Sequence, residues 1–159
     1  MKIQKLFENW DMKSLKIKLP ILEMDWAPQE ADKNAAWDMY VELLTRITTQ
    51  SLPDDDGIEK SALDSVHKLF EITRSVLKSN GRDCIGFARI AIVILNQIIR
   101  PFTAKWHKLS EQGAFDNVDN KQMFRKELME LQVELIKYTK ILSEIADVED
   151  LTELTEKEI

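Results

Sequence analysis

Two histidines, one cysteine and a stripe of arginines are the side chains of this 159-residue sequence best suited to chemistry. Asp64-Ser65-Val66-His67 sets an acid three residues before an imidazole, the spacing that di-metal carboxylate bundles use twice. The second pair is missing, because the other histidine, His107, follows Ala104 at that offset. Glu127, Glu130 and Glu134 alternate with an apolar stripe and read as a solvated face, so no metal site is expected. Cys84 falls at the start of an expected helix, where the helix dipole would lower a thiol pKa. The sequence ties no histidine to it, and a small buried thiol is the plainer reading. Gly57, Gly81, Gly86 and Gly113 are scattered, which leaves no glycine-rich phosphate loop. No catalytic residue and no cofactor is expected.

The densest segment runs from Arg89 to His107. Arg89, Asn96 and Arg100 stand seven and four apart, on one side of an otherwise apolar helix. Unpaired buried charge is costly, so such a stripe must be paired or solvated. Glu42, Thr45, Arg46 and Thr49 of an earlier helix offer it a partner surface. Two readings stay open. One is a salt-bridge network that fixes helix register. The other is a pocket or docking face for an anion or an acidic group, using Arg46, Arg89, Asn96 and Arg100. Next, Arg100-Pro101-Phe102-Thr103-Ala104-Lys105-Trp106-His107 crowds cations and two aromatics beside a proline. This is either a corner capped by Phe102 and Trp106 or a recognition surface anchored by Lys105, Trp106 and His107.

The stretch from Phe87 to His107, with its Arg-Pro-Phe and Lys-Trp-His elements, resembles poorly characterised bacterial helical domains found near signalling and phage-defence genes. The resemblance implies a prokaryotic accessory or effector-associated module and carries no catalytic residue with it.

The elements that must position these residues are helical. Ile3, Leu6, Phe7 and Trp10 make one apolar stripe over Met1–Trp10. Leu15, Ile17, Leu19 and Ile21 alternate with polar residues and Pro20, which predicts a lone edge strand within Ser14–Met24. A first long helix is predicted from Pro28 to about Gln50, and a second from Asp56 to Lys78 after the Pro53–Gly57 turn. A third starts near Arg82. Its centre, Ile90–Leu95, is apolar all round, which predicts full burial of Ile94 and Leu95. Pro101 should kink or end it, with a further turn or two over Phe102–Leu109. Phe124, Leu128, Leu131, Leu135, Tyr138, Leu142 and Ile145 mark a fourth. The predicted fold is all-α, a four-helix bundle over 25–148, with an amphipathic and extended arm at 1–24 and an acidic tail at 149–159. The tail is expected to be poorly ordered unless a partner orders it.

The charge is −6, which disfavours direct nucleic-acid binding. It is uneven: residues 1–22 hold five lysines against two acids, and 147–159 hold six acids against Lys157. The run Ile90–Ile99, interrupted by Asn96 and Gln97, is too short for a membrane span, and a single cysteine fits a reducing cytoplasm. These features point to a non-enzymatic protein–protein interaction module that binds a partner or its own copy through residues 1–24. The alternative is a small-molecule or anion-binding bundle, sensor or enzyme, built on the Arg/Asn stripe.

Overall fold

Helix formers at helical spacing dominate the sequence, and the computed structural model, which describes residues 2–10 and 25–155, is all-α. Its helices are α1 (Ile3–Asn9), α2 (Glu30–Leu44), α3 (Glu59–Asn80), α4 (Ile85–Ile94), α5 (Arg100–Glu111) and α6 (Val118–Ala146). A 3-10 turn at Arg82–Cys84 leads into α4, and a π-helical turn at Leu95–Ile99 joins α4 to α5. Helix α2 packs along α6 and also meets α3 and α4, while α3 and α6 both meet α5. Among the described residues there is no strand. Lys2 and Asp25 form an isolated antiparallel bridge.

The first long helix stops at Leu44, six residues short of the expected Gln50. The hydroxyls of Thr48 and Thr49 donate to the Leu43 carbonyl at 3.0 and 2.7 Å, and the Gln50 amide donates to Leu44 O. Side chains thus take carbonyls that a further helical turn would have used. The helix through Pro101 neither ends nor breaks. The wider π turn just before it relieves the clash that a proline ring makes with the preceding turn, and Arg100 N–H donates to Leu95 O. Arg82–Glu111 is therefore one helical rod, long and apolar enough by length and composition to cross a membrane, with half of its most apolar window buried in the fold. Ile94 is fully buried, whereas Leu95, where the π turn begins, is half-buried.

Asp32 ties two helix starts together. Its Oδ2 accepts from Gln29 N–H at 3.0 Å at the head of α2, and its Oδ1 accepts from Phe87 N–H at 2.8 Å at the head of α4. A carboxylate there also faces the positive ends of both helix dipoles. Gly86 sits beside this junction, where an added Cβ would overlap the Trp26 indole.

Both ends differ from expectation. Ile3, Leu6 and Phe7 lie in the main core, so this part of the arm is packed into the fold. The predicted strand lies outside the described residues. The tail is held as far as Thr155: the Tyr40 hydroxyl donates to Glu149 O at 3.0 Å and accepts from Leu151 N–H at 2.7 Å. Thr152 is buried, and Leu151 packs against the core. A tyrosine inside the fold supplies the order that acidic composition alone does not.

Candidate functional site

The segment singled out for chemistry divides into a sealed corner and an open face. In the corner, Trp106 is fully buried between Phe115, stacked at 6.0 Å, and Phe124, edge-on at 5.2 Å. Its Nε1–H donates to Glu127 Oε2 at 2.7 Å, and Lys105 pairs with the other carboxylate oxygen of Glu127. Lys105 and Trp106 are thus tied to one acid on α6, and Trp106 is a core residue, not a surface anchor. Glu127 is correspondingly no member of a solvated face.

His107 is brought against His67, ring centre to ring centre at 4.7 Å, across the α3–α5 contact. Its Nε2 lies 3.9 Å from Asp64 Oδ1, which also meets Lys60 at 3.1 Å. Burial lowers the His107 pKa first, and the neighbouring His67 and Lys60 lower it further, against Asp64 and Glu111. The sequence reading did not bring the two histidines together. Among the described residues no group of three or more His, Cys, Asp or Glu is placed to hold a metal.

Cys84 is buried, its thiol 3.1 Å from the Gly81 carbonyl. Burial, with Asp32 and Asp83 nearby, pushes its pKa up, overriding the downward pull expected of a helix start. The thiol is kept protonated and is a poor nucleophile.

The arginine stripe does not converge with Arg46. Arg46, just past the end of α2, pairs with Glu42 of that helix at 2.9 Å, so the partner surface foreseen for the stripe is satisfied locally. Arg100 Nε donates to Asn96 Oδ1 at 3.1 Å and its guanidinium covers the Phe70 ring at 4.7 Å. Arg89 makes no hydrogen bond or ion pair among the described residues and is half-buried. On the same side of the rod, Ile85 is 57% exposed and Ile92 46%. These two isoleucines escaped the sequence reading. A signal existed: Arg82-x-x-Ile85 recurs seven residues on as Arg89-x-x-Ile92.

The inter-helix network that was one of the two readings of the stripe occurs instead at another arginine. Arg125 on α6 donates to Glu59 Oε1 at 3.0 Å, Pro53 O at 2.8 Å and Asp56 O at 3.0 Å, clamping the turn before α3. Burial pushes the Glu59 carboxyl up, but its own backbone N–H and Arg125 outweigh this and hold it below the usual carboxylate range. A depression of about 540 Å³ beside it carries Asp54, Asp55, Lys121 and Lys126, acids and bases together.

Comparisons with protein-family models, curated proteins and solved structures give no match for this chain.

Proposed function

We propose that this chain is a non-enzymatic helical interaction module and serves as an accessory subunit of a cytoplasmic bacterial defence or signalling assembly. On this reading α2, α3, the α4–α5 rod and α6 act as a four-helix bundle, a rigid support for one outward face. The observation that carries the reading is the rod's outer side, where Ile85 and Ile92 stand half in water beside Arg89, which has no partner among the described residues. Apolar side chains placed among unsatisfied guanidinia are typical of interface cores, where arginine and aliphatic groups bury together. The resemblance of Phe87–His107 to helical domains near defence and signalling genes supports the setting, and the buried lone thiol accords with a reducing compartment. Anion binding by the foreseen set would need Arg46 to converge with Arg89 and Arg100, whereas Arg46 is engaged by Glu42.

The test is a photoreactive amino acid in place of Ile92 in the full chain, expressed in bacterial cells, with Glu71 as the control position. A discrete adduct heavier than the 18.5 kDa chain, formed from position 92 and not from 71, is expected. Equal labelling from both positions, or none from 92, would refute the reading.

A further inference from the structure

The interaction reading leaves the partner's chemistry open, and the following step rests on it. We infer that the Arg82–Glu111 rod docks an acidic amphipathic helix. The partner's carboxylates meet Arg82, Arg89 and Arg100, and its apolar side chains lie against Ile85 and Ile92.

Spacing comes first. Arg82, Ile85, Arg89, Ile92, Asn96 and Arg100 follow one another by three, four, three, four and four residues, which keeps them on one helix face. The first four form two repeats of a heptad pattern, the period at which one helix pairs along another. Ile85 and Ile92 lie about 10 Å apart along the axis, so they match partner side chains at positions i and i+7. The π turn explains where the seam stops: Ile99, seven residues after Ile92, is turned into the core and is 1% exposed.

Charge comes second. The chain carries −6, yet this stripe holds three guanidinia and no carboxylate, with Asp83 beside its first residue. Arg82 and Arg89 make no hydrogen bond or ion pair among the described residues, and Arg100 meets only Asn96 and the Phe70 ring there. Carboxylates bind guanidinium in two places, and apolar neighbours that exclude water strengthen the pair. At the start of the rod a shallow depression of about 330 Å³, lined by Leu77, Ile85 and Ala88 with Lys78 and Arg82 around it, gives an apolar anchor the same cationic border. An anionic bilayer would meet the same arginines, but it offers no side chains at a seven-residue spacing to lie against Ile85 and Ile92.

The experiment is selection of 16-residue peptides from an unbiased displayed library on the full chain, repeated on Arg89→Glu and Ile92→Asp. Selected sequences should be rich in Asp and Glu with Leu or Ile seven apart. Their affinity should fall at least about tenfold in either variant and about tenfold at high salt, with Arg89→Lys restoring part of it. Peptides that compete at this face but are neutral or basic would overturn the acidic partner and leave the interaction reading standing. If no selected peptide is sensitive to either variant, both fall. Binding of the full chain to phosphatidylserine vesicles, abolished by Arg89→Glu, would assign the face to a membrane and also overturn the inference.

Discussion

The two ends of the Arg82–Glu111 rod carry the same kinds of residue and use them in opposite ways. Around Trp106 every polar group named has found a partner: the indole and Lys105 share Glu127, and three aromatic rings close the space. Around Arg89 the guanidinium has none among the described residues, and two isoleucines stand partly in water. What separates them is the neighbour. Helix α6 crosses the first end and supplies a carboxylate, whereas among the described residues no such acid reaches the outer side of α4. A cation beside an aromatic or aliphatic group is structural where the fold brings it an acid, and available where it does not.

The strongest way to break this comparison is at the sealed end. Trp106→Ala removes the largest buried side chain of the aromatic cluster and leaves Glu127 Oε2 without its indole donor. Urea unfolding should show a loss of about 3–5 kcal/mol. A loss near zero would make the corner a surface after all.

Next in size is Asp32, which supports the start of the open end from beneath. Asp32→Ala leaves Gln29 N–H and Phe87 N–H without their acceptor, and a loss of about 2–4 kcal/mol is expected in the same assay. Hydrogen exchange should quicken at Phe87. Unchanged exchange there would show that the head of α4 is held by packing alone.

A smaller effect sharpens the comparison from the side of pH. His107 has its folded-state pKa held below the unfolded value near 6.5. The unfolded chain therefore takes up the proton first as pH falls. Stability is full above about pH 6.5 and declines as pH drops toward and through the folded pKa. Lys60 and His67 favour the decline, and Asp64 and Glu111 oppose it. Glu59 adds a loss of the same sign at lower pH, since its carboxyl is held below its unfolded value. His107→Gln should flatten the decline between about pH 7 and 5. An identical slope in the variant would remove His107 from the account.

Much of this architecture was legible in the sequence because it is local. The four-and-three alternation of α6 and the Pro53–Gly57 turn depend on neighbours a few residues apart. What could not be read depends on groups distant in sequence. Asp32 reaches Phe87, 55 residues on, and Tyr40 reaches Leu151, 111 residues on. Glu127 looked solvated because nothing in its own helix shows that Trp106 stands opposite. His67 and His107 meet only once α3 and α5 are packed. Within the candidate site, Arg89, Asn96 and Arg100 were found as a stripe by spacing alone. Ile92 between them and Ile85 before them were overlooked because an apolar residue on an apolar helix reads as core.

The most direct test of the divide is equilibrium urea unfolding of the free chain carrying Ile85→Ser and Ile92→Ser together. If the outer side of α4 is a docking face, the double variant should keep the stability of the parent to within about 0.5 kcal/mol. A loss above about 2 kcal/mol would mean that both side chains are packed as core, and would contradict the account.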